Sequence, residues 1–489
     1  MKKNLKTKPE PKKSAKKEVE VKKLNPAAAF YAKGLGKMEK ETKLIGNSLV
    51  EMDRLSTSML ATDWVLGGGL VPTMYQFSGQ EASGKTTSTL HCLGNGLKEG
   101  LSFSTLVDAE GTASPKYTNN IFKPFGFNVN DLLDDRSLGF TYYKSNVIER
   151  VFDNFVKRLD LMPSKIWSKE AQSWMYILPK RNDHFKSFMS AMGIKPDAKL
   201  STDNLYYAPA SHGGPEGLIA VDSWAAMLPE SEEEEQEKSK RRAIQAQAFS
   251  DHLKRISAKI AEKGVILIGV NQLRKIPGQT YGDPEYEPGG EALKFFSGAR
   301  LRFYSRSPSA DTRLVRDPIA SGIILEPSVV GKGYDRYMLK EIKNTKNKFG
   351  VPNLKTYMRV WISDNKGNPR GIDPVYDTIM YLESTKQGKW EAGKKRIVFS
   401  LKPSIGSKRA EFYNSKPIPY DTFKLMVLAE YTKDPEIIKT LRSEHNWKVP
   451  FDLRASCKEQ MLKDTSVFIG FVKEEKEKSK KDSFEPEEL

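Results

Sequence analysis

A glycine-rich loop near residue 80 is the first segment whose residue types could do chemistry. It consists of Gly79, Gln80, Glu81, Ala82, Ser83, Gly84, Lys85, Thr86 and Thr87, and its first eight residues fit the pattern GxxxxGK[ST] without a gap. The loop lies between an apolar run that predicts a strand, Met74–Ser78, and a stretch that predicts a helix. In such a loop the backbone N–H groups and the helix N-terminus face a phosphate. We therefore expect Lys85 to bind the β- and γ-phosphates of a nucleotide and Thr86 to bind Mg²⁺.

Carboxylates follow two other predicted strands. Asp222 ends an apolar run and comes directly before a Ser. Because ligands bind at the carboxyl ends of parallel strands, we predict that Asp222 supports the Mg²⁺ together with Thr86. Glu110 lies just past another predicted strand, Phe103–Asp108. Glu110 is our candidate for the base that activates the attacking water, and the alternative is an acidic N-cap of the next helix.

A third predicted strand ends at Gln272, whose amide is suited to hydrogen-bond a γ-phosphate and to pass the nucleotide state to the segment that follows. That segment, Leu273–Gly290, contains four Gly, three Pro, two Tyr and two cations. Rings and cations in a mobile loop are typical of single-stranded DNA binding, although Gly- and Pro-rich loops with a Tyr are also common surface features. The candidate DNA-binding residues here are Arg274, Lys275, Tyr281, Gly289 and Gly290.

A second loop, Pro229–Arg242, divides into an acidic half and a basic half with the sequence PESEEEEQEKSKRR. Its cations are candidates for contacts with DNA phosphates, whereas a charge run is equally typical of a solvated face. These cations are Lys238, Lys240, Arg241 and Arg242.

The composition favours a polyanionic partner. The 489 residues include 79 Lys and Arg against 62 Asp and Glu, a formal charge of +17, of which residues 1–23 supply +7 through ten Lys and three Glu. Two cysteines exclude a disulfide framework and argue against a zinc site. The longest clean apolar run, Val265–Val270, is too short to cross a bilayer, so we expect no membrane association and a cytoplasmic location, in the host cell if the protein is phage-encoded.

Short apolar runs alternate with helical stretches from Leu55 onward, which predicts an α/β core with a mainly parallel central sheet flanked by helices. Residues 160–215 interrupt this rhythm and are predicted to be an insertion. We predict five segments: a basic disordered tail at 1–24, an N-terminal oligomerisation helix and linker at 25–50, an α/β core at 51–395, a small C-terminal domain at 396–472 and a charged tail at 473–489.

Taken together, these motifs resemble the bacterial RecA recombinase family and its bacteriophage relatives. The resemblance is carried by GQEASGKTT, VDAEGTASPKY, LIAVDSWAAMLP and NQLRKIPGQTYGDPEYEPGGEALKFF, in the family's order. It extends over roughly residues 25–160 and 216–365. The 160–215 insertion has no counterpart in the simple bacterial pattern, and the match is poor beyond about residue 395.

The resemblance implies a RecA-like P-loop ATPase core and a role for each motif. Lys85 and Thr86 would contact the phosphates and Mg²⁺ of ATP, and Tyr117 would stack on adenine. Glu110 would be the catalytic base, Asp222 would support the metal, and Gln272 would sense the γ-phosphate. Lys346 and Lys348, in KNTKNKFG, resemble the paired lysines that enter the ATP site of the neighbouring subunit, and the alternative for them is a solvated basic turn.

The implied function is that of an ATP-dependent DNA recombinase, a DNA-stimulated ATPase used in recombination and repair. Such proteins form helical filaments on single-stranded DNA and pair it with homologous duplex DNA. The helix predicted at Asn25–Glu41 would pack on the adjacent protomer, and Lys294 and Phe295 fall where the family has subunit contacts. Two alternatives are a ring-forming RecA-fold helicase and a weakly hydrolysing mediator that coats single-stranded DNA.

Overall fold

A computed structural model describes residues 52–168, 170–230, 238–275, 285–305, 336–363, 371–391, 394, 396–401, 407–445, 447 and 452–463. The predicted basic tail, N-terminal helix and C-terminal charged tail lie outside these residues, as does Tyr281. The side chains of Lys238, Lys240, Arg241, Arg242 and Lys275 also lie outside the description.

The strands and helices of the described residues are numbered separately in chain order. The strands are β1 (Met74–Gly79), β2 (Phe103–Asp108), β3 (Phe140–Lys144), β4 (Ser164–Ser168), β5 (Ser173–Pro179), β6 (Leu205–Pro209), β7 (Gly217–Asp222), β8 (Val265–Gln272), β9 (Arg274–Lys275), β10 (Glu285–Tyr286), β11 (Ser297–Ser305), β12 (Arg336–Asn347), β13 (Lys355–Ser363), β14 (Gly371–Ile372), β15 (Gly388–Glu391), β16 (Arg396–Phe399) and β17 (Ile418–Pro419). The helices are α1 (Leu60–Leu66), α2 (Lys85–Lys98), α3 (Pro115–Phe122), α4 (Val129–Asp134), α5 (Ile148–Leu161), α6 (Asp183–Met192), α7 (Lys238–Glu262), α8 (Glu291–Phe296), α9 (Pro374–Ser384), α10 (Ser407–Ser415), α11 (Tyr420–Thr432), α12 (Pro435–Ser443) and α13 (Leu453–Lys463).

A nine-stranded sheet forms the centre of the molecule, in the order β14-β13-β12-β11-β1-β8-β7-β2-β3. The six strands from β11 to β3 are parallel to one another. On the other side of β11, the strands β12, β13 and β14 pair in antiparallel fashion. The predicted α/β class with a mainly parallel sheet is therefore confirmed.

Helices cover both faces of this sheet because its central strands are apolar on both sides. All residues of β8 from Val265 to Asn271 are buried, as a parallel central strand requires. On one face α5 and α7 bury the apolar stripes that predicted them, including Phe152, Phe155 and Phe249. Gly269 is needed in β8 because a Cβ there would lie 1.6 Å from Nε1 of Trp224. Within the described ranges, no helix combines the length and the apolar character that a bilayer span requires.

The segment predicted as an insertion forms its own small layer. Strands β4, β5 and β6 make an antiparallel sheet, on which α6 packs through Phe185 and Met189. A buried ion pair ties this sheet to the start of β7, since Nζ of Lys165 lies 2.7 Å from Oε1 of Glu216. The hydroxyl of Tyr176 donates to the same carboxylate oxygen at 2.9 Å. The β4–β6 sheet is thus anchored to the central sheet, and its origin as an insertion stays a prediction.

The C-terminal helices share a core with the beginning of the described chain. Arg454 of α13 pairs with Asp377 of α9 at 3.0 Å, and both side chains are buried. Asp377 also accepts hydrogen bonds from the backbone N–H groups of Leu60 and Ala61 in α1. One apolar cluster runs from Leu55 to Met461 through this junction. The division of the chain at residue 396 stays a prediction.

The Lys165–Glu216 pair allows a test of how the β4–β6 sheet is attached to the central sheet. We expect Glu216→Ala to lower the free energy of unfolding by about 3 kcal/mol, because it leaves a buried ammonium without its carboxylate. Urea unfolding followed by intrinsic fluorescence measures this change. Asp183→Ala is the matched control, since the pair that Asp183 makes with Lys186 is exposed and should contribute less than about 1 kcal/mol. Equal stabilities of the two variants would contradict the anchoring role.

Candidate functional site

The glycine-rich loop joins the end of β1 to the start of α2, at the carboxyl edge of the parallel strands. Gly84 precedes the helix with a φ of 94°, a left-handed conformation that favours glycine. A Cβ on Gly79 would lie 2.4 Å from the carbonyl oxygen of Phe303 in β11. Both glycines of the pattern are therefore required by the backbone path, and the first N–H groups of α2 lie beside the loop.

Lys85 is buried beneath this loop. Its Nζ donates to the carbonyl oxygens of Gly79 at 3.0 Å and Gln80 at 2.6 Å. Burial lowers the pKa of Lys85, and the carboxylates of Asp222 and Glu110 oppose that shift. Carbonyl groups of the loop thus hold the ammonium group next to the loop, at a position suited to bind a phosphate.

Thr86 and Asp222 meet at the edge of the sheet, with the Thr86 hydroxyl donating to Oδ2 of Asp222 at 2.6 Å. Burial raises the pKa of Asp222 to about 6, although the bond from Thr86 opposes the shift. Hydroxyl and carboxylate oxygens are the ligands that Mg²⁺ prefers, so this pair fits a magnesium ion. The described residues contain no group of three or more His, Cys, Asp or Glu side chains that could hold a metal. At nucleotide sites, however, Mg²⁺ usually takes only one or two carboxylates, with waters and phosphates completing its shell.

Glu110 lies beside Asp222 and is linked to two other groups of the site. Its Oε1 accepts from Oγ of Ser223 at 2.5 Å and from Nε2 of Gln272 at 2.9 Å. The N-cap of α3 is Ser114, whose side chain accepts from the N–H of Tyr117, so helix capping does not account for Glu110. The structure thus brings the predicted base and the predicted sensor amide into direct contact.

Asp108 is the residue of this site that the sequence reasoning undervalued. Its carboxylate accepts from the backbone N–H groups of Gly111 at 2.7 Å, Thr112 at 3.2 Å and Ala113 at 3.0 Å. It also accepts from the hydroxyl of Tyr142 at 2.8 Å. Asp108 therefore shapes the turn that carries Glu110. An Asp directly before a Gly-containing turn is the signal that could have indicated this role.

A cavity of about 280 Å³ opens between the loop and strands β12 and β13. Its lining residues are Ala82, Ser83, Gly84, Lys85, Thr86, Thr87, Tyr117, Met338, Lys340, Val360 and Trp361. Tyr117 stands at one side, with its hydroxyl 2.5 Å from Oγ1 of Thr87. The sequence reasoning missed Lys340 and Trp361, because nothing local places β12 and β13 next to the loop.

Two polar bridges connect the loop and β1 to the segment after Tyr281. Gln80 of the loop donates through Nε2 to Oε1 of Glu285 at 2.7 Å, and Glu285 also pairs with Arg302. Gln76 of β1 donates to Glu287 at 3.1 Å, and Arg300 pairs with Glu287 at 2.5 Å.

The short pairing of β9 with β10 brings Lys275 opposite Glu285. Arg274 is exposed on β9. Gly289 and Gly290 have φ of 93° and 78°, and a Cβ on Gly290 would lie 2.7 Å from Cβ of Ala246. These two glycines are explained by the turn into α8, and their proposed DNA contacts stay predictions.

Lys346 and Lys348 do not reach the loop of their own chain. Gly79 pairs with Phe303 in β11, whereas the N–H of Lys348 bonds to the carbonyl of Gly298, five residues earlier in that strand. At about 3.3 Å per residue this is roughly 17 Å toward the opposite edge of the sheet. Nζ of Lys346 donates to the carbonyls of Lys294 at 2.7 Å and Phe295 at 3.1 Å. The side chain of the neighbouring Phe295 is among the exposed large apolar groups, with 71% of the residue accessible.

Comparison with known proteins points to one family. A family model described as the RecA N-terminal domain matches residues 210–313, which include Asp222 and Gln272. Protein RecA of Thermus thermophilus is 25% identical over 346 residues, covering 70% of this chain and 75% of that protein. Protein RecA of Mesoplasma florum is 24% identical over 374 residues, covering 75% of this chain and 84% of that protein.

Among solved structures, a crystal structure of the RadB recombinase is similar with 18% identity and a TM-score of 0.36, covering 65% of this chain and 98% of that one. The family model includes Asp222 and Gln272, whereas the glycine-rich loop and Glu110 lie outside its residues 210–313. These matches support a relationship between this chain and the RecA family.

Proposed function

We propose that this protein is an ATP-dependent DNA recombinase that forms helical filaments on single-stranded DNA and promotes pairing and strand exchange with homologous duplex DNA. One observation carries the proposal: the phosphate-binding loop, the Thr86–Asp222 pair and the Glu110–Gln272 contact meet at one edge of the sheet. This arrangement provides for phosphate binding, metal binding, water activation and a sensor in a single site. A DNA recombinase acts where the chromosome lies, so we expect a cytoplasmic location.

ATP hydrolysis would use residues with distinct tasks. The N–H groups of the loop and the Lys85 ammonium bind the phosphates, while Thr86 and Asp222 hold Mg²⁺. When bound, Mg²⁺ neutralises phosphate charge. Glu110 orients the attacking water and accepts its proton, and the bond from Ser223 fixes one of its oxygens. Tyr117, at the side of the cavity, stacks on the adenine.

The site of one chain would be completed by a neighbouring chain. Lys346 pairs with Arg300 and Lys348 bonds to Gly298, so at about 3.3 Å per residue they lie about 10 Å and about 17 Å from the level of Gly79. Both are therefore available to a second protomer's nucleotide. Cations that stabilise charge developing on the phosphates would then come from the next subunit. The exposed Phe295 lies beside these lysines and is suited to the same contact. Joining two different surfaces in this way produces an open helical filament.

The nucleotide would control DNA binding through the segment that follows β8. Gln272 contacts Glu110 in the described structure, and a γ-phosphate would compete for its amide. Gln272 directly precedes the loop that contains Arg274, Lys275, Tyr281, Gly289 and Gly290. The cations Lys238, Lys240, Arg241 and Arg242 at the start of α7 would bind DNA phosphates from a second loop.

One assay separates this function from its alternatives. We expect ATP turnover to rise on addition of single-stranded DNA, with helical filaments in electron micrographs of the same samples. Closed rings that unwind duplex DNA would instead select the helicase, and DNA coating without turnover would select the mediator. Glu110→Gln should keep the filaments but lose about 10²–10⁴-fold in turnover. Glu99→Gln, an exposed change at the far end of α2, should behave as wild type.

Mixing two inactive variants tests the shared site. Lys85→Ala alone and the double variant Lys346→Ala/Lys348→Ala should each lose DNA-stimulated turnover, because each lacks one half of every site. An equal mixture should recover about a quarter of the sites, since the loop of the double variant can face the intact lysines of the Lys85→Ala protomer. Turnover is measured before and after mixing, with Lys98→Ala replacing Lys85→Ala as the control. No recovery on mixing would contradict completion by a neighbour.

The loop after Gln272 has its own test. We expect Lys275→Ala/Tyr281→Ala to weaken binding of single-stranded DNA, because the change removes a phosphate contact and a stacking ring. Binding measured at several salt concentrations should show the salt slope reduced by about 0.7 for the lost phosphate contact. Lys355→Ala, which removes an exposed lysine of β13, is the control. Unaltered affinity across the salt series would mean that this loop does not touch the DNA.

A further inference from the structure

Lys340 is a buried lysine in the wall of the nucleotide cavity that has no role in the site described above. It lies on β12, paired with Ser305 of β11 and Met358 of β13. Since Gly79 pairs with Phe303, two residues before Ser305, Lys340 stands at the same edge of the sheet as the phosphate-binding loop. Only 1% of Lys340 is exposed. The register thus brings a second lysine of the same chain to the cavity.

Contacts of the aliphatic part of Lys340 also place this residue next to the phosphate-binding loop. Lys340 lines the 280 Å³ cavity together with Gly84, Lys85 and Thr86. Its Cγ lies 3.7 Å from the position that a Cβ on Gly84 would take. The aliphatic part of Lys340 therefore lies against the loop that we propose to hold the phosphates.

The electrostatic environment favours an anion between the two lysines. Burial and the nearby Lys85 ammonium lower the pKa of Lys340 to about 8. Two lysines in the lining of one small cavity give it a positive potential, which favours a ligand with several negative charges. A polyphosphate supplies several negative oxygens at this point, whereas an adenine ring supplies only neutral acceptors.

On the basis of the ATP-binding function proposed above, we propose that Lys340 is a second phosphate-binding cation, supplied by the same chain that supplies the loop. It would strengthen binding of nucleotides with a polyphosphate chain and leave the binding of the nucleoside itself unchanged. Strand β12 and the residue that follows it would then carry cations for two sites: Lys340 for its own chain, and Lys346 and Lys348 for the neighbour. The competing arrangement is a contact of Lys340 with the adenine base.

Titration of the full chain with ATP, ADP and adenosine tests this role. Lys340→Met removes the charge and keeps a stem of similar length over Gly84, and Lys340→Gln is a second charge-free variant. We expect affinity for ATP and ADP to fall about tenfold to a hundredfold, the usual effect of losing a charge-assisted hydrogen bond, with adenosine affinity unchanged. The ratio of adenosine to ATP affinity is measured within each variant, so a reduced folded fraction does not alter it.

Lys343→Met is the matched control, because Lys343 lies on the same strand but does not line the cavity. It should keep the wild-type ratio. The proposal is overturned if Lys340→Met and Lys340→Gln keep the wild-type ratio, or if they weaken adenosine and ATP by the same factor, which would indicate a contact with the base. Failure of the wild-type chain to bind ATP would remove the proposed function as well, whereas intact ATP binding with an unchanged ratio removes only the role of Lys340.

Discussion

Register between the parallel strands β1, β8, β7 and β2 is the constraint on which the site depends. Gly79 pairs with Gln272, and Asp108 pairs with Asp222, so each strand delivers its last residue to the same edge. A slip of one residue in any pair would turn these side chains to the other face and expose the apolar core. The core on both faces therefore determines the distances between the loop, the carboxylates and the amide.

Three acids at this edge differ in what surrounds them. Asp108 is occupied by three backbone N–H groups and a tyrosine hydroxyl, which makes it part of the scaffold. Asp222 is partly buried and accepts a hydrogen bond from Thr86, and desolvation raises its pKa to about 6. Glu110 accepts hydrogen bonds from the side chains of Ser223 and Gln272, both of which belong to the site. The hydrogen-bond partners of each acid, more than its residue type, distinguish Asp108, which holds a turn, from Asp222 and Glu110, which we propose to act on the nucleotide.

Lysines lie near both ends of β12: Lys340 near its beginning, Lys346 near its end and Lys348 directly after it. β12 is the first antiparallel partner of β11, and its twelve residues span the full depth of the sheet. Lys340 therefore lies at the carboxyl edge of β1, while Lys346 and Lys348 lie toward the other edge. This geometry is consistent with a site that needs two chains, since a rigid strand cannot bring both ends to one nucleotide. The β4–β6 sheet is held elsewhere, near the start of β7, by the Lys165–Glu216 pair.

Local patterns along the chain were enough to predict the α/β class, the position of the loop between strand and helix, and the three strand ends that carry Glu110, Asp222 and Gln272. These features depend on glycines, apolar periodicity and polar residues at the ends of apolar runs, all of which are visible within a short window. The folded chain was needed to see that Asp108 holds a turn, that Lys340 and Trp361 face the loop, and that Lys346 and Lys348 do not. Those outcomes depend on strand order and register between segments far apart in the chain, about which a local pattern carries no information.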